Sequence, residues 1–476
     1  MSIRFVCCFI ACCLSLLLNS TLAFAEIDES EFPSTDIITR DVVIIGGGSS
    51  GTYAAIRLRE LGHSITVIEQ KDTLGGHVNT FIDPVTGSSI DYGVISFDNI
   101  TVVTNYFAHF NIALMPLVYG SGITQYFNFL NDSIISASDV YLGNVTQALL
   151  DYQAQLDKYP YLFPNGYQLP EPIPDDLLLP WGDFLIKYNL QGLAYLAFIY
   201  IEGVGNILAQ PTLYVMKYFP PITVNAILEN TFLTTANHDN HELYVAAAAE
   251  LGPDALLSSN VTGVSRISDC VYTLVHTPGG PKLIKSSHLL IAIQPNLANL
   301  EPFLDLDATE TSLFGQFNNS YYWDVMVRNS GIPDNTSLSN VDLSATLNIP
   351  AMPGLYSIDA TGIAGLHTAY YSSSYYIPDS EVQASILSTI AALVEAAGYP
   401  GAANGTQPQI VGFNSHAPFE CTVSVEAIRE GFYRKLNGLQ GRRRTWWTGA
   451  TWQAHDSSQI WNWTEGYLLP MMKEAL

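Results

Sequence analysis

The segment Asp41-Val42-Val43-Ile44-Ile45-Gly46-Gly47-Gly48-Ser49-Ser50-Gly51 constrains this chain more than any other. Four apolar β-branched residues run straight into a glycine turn, and Thr52-Tyr53-Ala54-Ala55-Ile56-Arg57-Leu58 continues as a helix-forming run. The pattern G-x-G-x-x-G falls on Gly46, Gly48 and Gly51. A tight turn, backbone approach to a pyrophosphate and close helix–strand packing each require a missing side chain there. The helix that follows offers unpaired N–H groups and a positive dipole end to phosphate. A second strand, Ser64–Ile68, ends at Glu69, eighteen residues past Gly51, where a carboxylate can accept hydrogen bonds from a ribose diol. Glycine triplets alone are common in ordinary turns. Strand, turn, helix, strand and acid in that order predict a dinucleotide site.

The rest of the chain narrows the partners. Its 476 residues can bury a large core over two or three domains. A formal charge of −25 argues against nucleic acid and against anionic membrane surfaces, both of which need basic patches. The N-terminus has Arg4, an apolar run to about Leu18, and then Ala23-Phe24-Ala25. That arrangement predicts a signal peptide over residues 1–25, too short in its apolar part for the ~20 residues of a spanning helix. No stable membrane anchor is expected, and the expected location is extracellular. Asn99, Asn131, Asn144, Asn260, Asn318, Asn335, Asn404 and Asn462 stand in N-x-S/T sequons, which predicts N-glycosylation. Beyond the signal segment only Cys270 and Cys421 remain, which makes no disulfide framework.

Taken in order, residues 99–239 lose the strand–helix alternation and read as helical, with runs at Val145–Leu156 and Phe184–Tyr200. Gly203-Val204-Gly205 is followed by Leu208 in the place of a third glycine, so no second dinucleotide loop is expected. Alternation returns at 240–295, with a helix at Glu242–Leu251 and strands at Asn260–Arg266, Val271–His276 and His288–Ile293. A further helix is expected at Ser380–Ala397. The last segment reads as a helix over Ser424–Leu439 and a strand through Trp446-Trp447 into a turn at Thr448-Gly449. A final helix then opens at Ser457-Ser458, with the serines as N-caps, and runs through Leu469.

These residues together resemble the FAD-dependent oxidoreductases of the flavin amine oxidase superfamily, and within it the fungal β-cyclopiazonate dehydrogenase-like group. The resemblance rests on Gly46–Gly51, Glu69, Leu74-Gly75-Gly76 and the late Thr448-Gly449 turn, and it spans the mature chain. It implies an α/β fold: a Rossmann-type FAD-binding domain from segments 38–98, 240–296 and 415–476, with an α+β substrate-binding domain from 99–239 and 297–414. Gly46, Gly48 and Gly51 would approach the pyrophosphate and Glu69 the adenosine ribose. Gly75, Gly76 and His77 would pass the flavin-side ribityl and phosphate, and Val261 would meet the adenine. Gly449 and Ser458 would sit at the flavin end. Three departures stand out: His77 replaces the usual Arg, Ala450 follows the late glycine in place of Glu, and no Lys lies between Lys285 and Lys435.

Cys421 lies twenty-eight residues before Gly449, close to the spacing at which some amine oxidases attach flavin through a thioether. It is the candidate covalent link, beside two alternatives: a disulfide with Cys270 or a buried thiol. His455 is the candidate catalytic base or substrate hydrogen-bonder, with a structural cap as the equal alternative, and His416 is a weaker second. Tyr370-Tyr371, Tyr375-Tyr376 and Trp446-Trp447 could line the pocket or belong to the core. The sequence has no G-x-S-x-G elbow, no H-E-x-x-H, and no C-x-x-C past the signal segment, so hydrolase and metalloenzyme readings have little support. The expected function is two-electron oxidation of a small organic substrate, a secondary metabolite or an amine, with oxygen or another acceptor taking the electrons. The alternatives are an amine oxidase releasing aldehyde, ammonia and peroxide, and a non-catalytic or isomerising flavin protein.

Overall fold

The apolar run Val42–Ile45 forms the inner half of strand β1 (Ile37–Ile45), where all four side chains are 5% exposed or less. Such a run needs cover on both faces, as strands in the middle of a parallel sheet have. β1 takes that position, in a computed structural model that describes residues 27–118, 122–266, 269–403, 405 and 407–476. The expected signal segment and Asn404 lie outside the described residues. β1 pairs in parallel with β2 (Ile65–Ile68) on one side and with the long strand Gly280–Ile291 on the other. The seven-stranded sheet is completed by Ala255–Leu256 beside β2, the antiparallel strands Asn260–Ser265 and Val271–Thr277, and Thr445–Trp447 in parallel with Gly280–Ile291. Three stretches of chain far apart in sequence therefore build one sheet.

A second seven-stranded sheet contains Gln409–His416, Tyr321–Arg328, Leu366–Ser373, Gly354–Ala360, Thr336–Asn340, Ile123–Asn128 and Ser133–Ile135, in that order. Side chains alternate between faces along each strand. Trp323, Val325 and Val327 pack with Val382, Ile386, Ile390 and Leu393 of the helix Asp379–Ala396 in one core. Tyr322, Asp324 and Met326 consequently take the other face. That alternation is what later brings Tyr322 and Asp324 to the candidate site.

Several sequence-based elements are shorter than expected, for local reasons. The run Phe184–Tyr200 divides into Trp181–Lys187 and Ala194–Tyr200, separated by Asn189 at φ 57°. The run Ser424–Leu439 divides into Val425–Arg429 and Phe432–Asn437 at Gly431, whose φ of 78° is left-handed. At the last helix, Ser457–Trp463, the cap is Asp456, whose side chain accepts from the Gln459 N–H, and the serines occupy its first turn. The helix continues through a π segment, Thr464–Leu468, to Ala475.

One salt-bridge network ties the first sheet to the helix Ala308–Phe314. The fully buried Arg266 side chain forks onto Glu310 at 2.8 Å for both oxygens and reaches Asp305 at 2.6 Å. Arg443 bonds the same two carboxylates from the other side. Among the described residues no helix is long and apolar enough to cross a membrane.

Candidate cofactor and substrate site

The three motif glycines are required for three different reasons. Gly46 has φ +102°, a conformation that L side chains rarely adopt. A Cβ on Gly51 would stand 2.0 Å from the Gly46 carbonyl oxygen, so that position admits only hydrogen. Gly48 is different: an added Cβ would meet only the Gly76 Cα, at 3.8 Å, and would otherwise occupy open space. That opening lies at the N-terminus of helix α1 (Ser49–Glu60), which no side chain caps. A diphosphate fits such a cradle, since backbone N–H groups and the dipole both favour it. The second glycine pair closes over the first, with Gly48 bridging to Gly75 and the Gly75 N–H donating to the Gly47 carbonyl at 2.9 Å.

Glu69 ends β2 with a buried carboxylate. Its two oxygens accept from the N–H groups of Gly47 at 2.8 Å and Lys71 at 2.9 Å. A carboxylate oxygen can accept more than once, so the group is fixed in place with capacity left for a ribose diol. The Ser259 N–H donates to the Glu69 carbonyl at 2.9 Å, which carries the chain past the ribose acid to the partly buried Val261 at the start of its strand.

The late turn reaches the same loop from the far end of the chain. Gly449 has φ +109°, and its added Cβ would touch the Ser50 Oγ at 3.5 Å. The Ser49 hydroxyl bonds that of Ser457 at 2.8 Å, and Trp461 Nε1 donates to the Ser49 Oγ at 3.1 Å. Trp461 stacks on Tyr53 and Phe97 at 5.5 and 5.6 Å, which locks the last helix onto α1. The Ser458 Oγ accepts from the Asp98 N–H at 3.0 Å.

Beyond Gly76 the chain enters a chamber of aromatic and histidine rings. His77 has an accessible side chain although it lies deep in the molecule, so its open surface faces an interior space; burial holds its imidazole well below the usual range. Its ring lies 4.0 Å from that of His416 and 6.0 Å from that of Phe419. Asp324 accepts from His416 Nε2 at 2.8 Å and from the Asn414 amide at 2.8 Å. Tyr322 stands 5.3 Å from Phe419, stacks on Tyr370 at 6.5 Å, and donates its hydroxyl proton to the Glu202 carboxylate at 2.7 Å.

His455 belongs to this chamber, with both ring nitrogens engaged. Nδ1 faces the Tyr218 hydroxyl and Nε2 the Phe419 carbonyl, at 3.2 Å. Burial lowers its pKa to about 3, so the ring is neutral: Nε2–H donates to the carbonyl and Nδ1 accepts from Tyr218. In this arrangement His455 fixes Tyr218 and the Phe419 backbone.

Cys421 follows Phe419 and Glu420, in contact with Asn319, whose amide donates to its Sγ at 3.3 Å. Burial pushes the thiol up to about 12, which keeps it protonated at neutral pH. A thioether link needs thiolate character, so the chemistry of this pocket disfavours the attachment that the spacing suggested. No disulfide joins Cys270 and Cys421. Of the aromatic pairs, only Tyr370 reaches the chamber wall. Tyr371 alternates into the opposite core, Tyr375 and Tyr376 are exposed, and Trp446 and Trp447 are buried in the core of the first sheet.

Sequence reasoning missed Glu202, Tyr218, Tyr322 and Asp324. Gly203-Val204-Gly205 was the available signal: a Cβ on Gly203 would strike the Phe419 ring at 2.4 Å and Tyr322 at 3.1 Å. The Gly-x-Gly there is a close-packing turn that delivers Glu202. A second unexpected group is the buried Lys217, whose Nζ donates to the Leu162 carbonyl at 2.7 Å, the Gly166 carbonyl at 3.2 Å and the Gln453 side chain. Burial pushes its pKa well below the ordinary lysine range, and the three acceptors oppose that shift by favouring the charged amine.

Residues 44–110 match the NAD(P)-binding Rossmann-like domain family. The FAD-dependent oxidoreductase oblC of Cochliobolus heterostrophus is 39% identical, covering 98% of both chains. The β-cyclopiazonate dehydrogenase of Aspergillus oryzae is 32% identical over 94% of this chain and 96% of its own. Among solved structures, a CLA-producing fatty acid isomerase from P. acnes superposes with TM-score 0.72 at 19% identity, over 90% of this chain and 98% of that one. A putrescine oxidase bound to putrescine gives TM-score 0.64 at 15% identity, over 91% and 100%.

Proposed function

The chain belongs to the family of FAD-dependent oxidoreductases that includes β-cyclopiazonate dehydrogenase, and on that premise we propose a secreted enzyme that removes two electrons, as a hydride, from a small organic substrate. The substrate is a secondary metabolite or an amine, and oxygen or another small acceptor takes the electrons. The observation that carries this reading is the continuity of the glycine cradle, through Gly75-Gly76-His77, with the ring-lined chamber.

Bound FAD would supply the hydride acceptor. The chain's own residues do the rest. Gly46, Gly48, Gly51 and the α1 terminus would hold the pyrophosphate, Glu69 the ribose, and Val261 the adenine side. Gly75, Gly76, Gly449 and Ser458 would bring backbone and helix terminus to the flavin end. His455 acts through the groups it positions, Tyr218 and Phe419. Tyr322, Tyr370 and Phe419 exclude water and orient an apolar substrate, the conditions under which a flavin site works.

The amine oxidase alternative draws support from the fold shared with putrescine oxidase, but the chamber lacks a feature it would need. Among the described residues that wall it none is a lysine: Lys71 bonds the Gly76 carbonyl at 3.3 Å beside His77, and Lys217 is committed to three backbone and side-chain acceptors. Secretion draws support from exposure: Asn99, Asn131, Asn144, Asn260, Asn318, Asn335 and Asn462 are all at the surface.

The test is to purify the protein from culture medium, record its visible spectrum, and screen aromatic metabolites and simple amines for anaerobic bleaching. The expected result is a yellow protein bleached by aromatic metabolites, and one whose mass falls on glycosidase treatment. A colourless protein that cannot be reconstituted with FAD would sink the reading, and peroxide release with simple amines would favour the amine oxidase alternative.

A further inference from the structure

We propose that Glu202, held by the Tyr322 hydroxyl, is the group that recognises the substrate, and that the substrate is a neutral aromatic molecule presenting a carbonyl or enol oxygen, not an ammonium ion. This rests on the reading that the ring-lined chamber is where the substrate is oxidised.

Glu202 follows the helix Ala194–Tyr200 and enters the chamber because Gly203, at φ +85°, turns the chain between Phe419 and Tyr322. Its side chain lies deep in the molecule yet keeps accessible surface, so it faces the interior space. One carboxyl oxygen, Oε2, accepts the Tyr322 proton at 2.7 Å. Among the described residues no hydrogen bond to the other oxygen, Oε1, is found. A carboxyl oxygen left open in a site walled by Tyr322, Tyr370 and Phe419 is a fixed contact point for a ligand.

The chemistry of that contact depends on the carboxyl's charge, which its surroundings set. From the strand Tyr321–Arg328 it meets Tyr322 and Asp324, from Gly354–Ala360 it meets Tyr356 and Asp359, and from Leu366–Ser373 it meets Tyr370. Among the described residues no Lys or Arg pairs with it. Asp324 is already bonded to His416 and Asn414, so its charge is met elsewhere. Burial is the largest influence on Glu202 and pushes its pKa well above the carboxylate range, with Asp359 and Asp324 adding to the rise. A neutral carboxyl has an O–H to give. It matches an oxygen acceptor and offers no counter-charge to a desolvated ammonium.

The closing experiment compares acetophenone and benzylammonium, which share a ring and differ in presenting a neutral acceptor or a cation. Calorimetry on the flavin-loaded secreted protein at neutral pH is expected to show binding of acetophenone and none of benzylammonium. Acetophenone affinity should hold through neutral pH and fall at alkaline pH as Glu202 ionises. Glu202→Gln, whose amide still donates, should keep neutral-pH affinity within a few-fold and lose the alkaline limb. Glu202→Leu should weaken binding about tenfold or more. Benzylammonium binding abolished by Glu202→Gln, no acetophenone binding to the wild type, or acetophenone affinity indifferent to Glu202→Leu would each overturn the proposal. Flavin content is read separately from the visible spectrum. A flavin-loaded protein that fails the calorimetry refutes this inference alone, whereas a flavin-free protein refutes the function beneath it.

Discussion

Gly51→Ala is a one-methyl change whose effect can be worked from the loop itself. The new Cβ would stand 2.0 Å from the Gly46 carbonyl oxygen, 3.0 Å from the Ala292 Cβ and 3.2 Å from the Gly46 carbonyl carbon. A carbon and a carbonyl oxygen settle at about 3.3 Å or more, so α1 and the loop must separate by roughly 1.3 Å. None of the three atoms is the far end of a flexible side chain, so the backbone has to move. Overpacking of this kind costs about 1–3 kcal/mol of stability. The shift also carries the α1 N–H groups away from the pyrophosphate. Each hydrogen bond to a charged group is worth about 1.5–3 kcal/mol, so two lost bonds predict a fall in FAD affinity of roughly a hundredfold to ten-thousandfold. The assay is the ratio of flavin to protein absorbance after purification, together with thermal melts with and without added FAD. The control is Gly466→Ala: nothing lies within 4 Å of the added Cβ and the site is helical. It should keep its flavin and melt about 0.4–1 kcal/mol more stable. A Gly51→Ala protein with full flavin and a wild-type melt would show that this loop does not clasp the cofactor as described.

Other perturbations separate the remaining claims. Arg266→Ala leaves Asp305 and Glu310 with Arg443 as the one cation bonded to them among the described residues and should destabilise the fold by about 3–5 kcal/mol in denaturant unfolding. Stability should peak in mildly acidic solution. Glu420, pushed up to about 8 by burial, contributes fully below its ordinary value of 4.5 and loses that contribution as pH rises through 8. His455, lowered to about 3, contributes above 6.5 and loses its contribution as pH falls toward 3. Glu420→Gln should make the alkaline side of a melting-temperature profile shallower, with Glu202 and Asp98 supplying the slope that remains, and leave the acid side alone. Cys421→Ser should leave flavin content and its release in acid unchanged; flavin freed by acid only from the variant would restore the thioether link.

The first sheet was legible because its signals are local. Val42–Ile45 and the three glycines specify strand, turn and helix within a dozen residues, and the structure keeps that order. Glu242–Leu251 was equally readable, since its helix depends on a continuous run without a breaker. Places where a single residue interrupts a periodic pattern were less so. Asn189 and Gly431 both take left-handed φ and each cut one expected helix in two. The chamber was least visible. Tyr322, Asp324 and His416 sit on neighbouring strands joined by register, and Glu202 arrives from a segment more than a hundred residues earlier. Gly203 held the clue, but a glycine that makes room for a ring looks in sequence like one that makes a turn.

The Ser49–Ser457 hydrogen bond and the Trp461 stack join residues about four hundred positions apart. During synthesis the glycine loop emerges about four hundred residues before the helix that closes over it. A nucleotide captured early would find only half of its binding surface. Cofactor retention therefore waits on the segment around Ser457, and a chain cut before that helix would carry an intact fingerprint with half of its clasp missing.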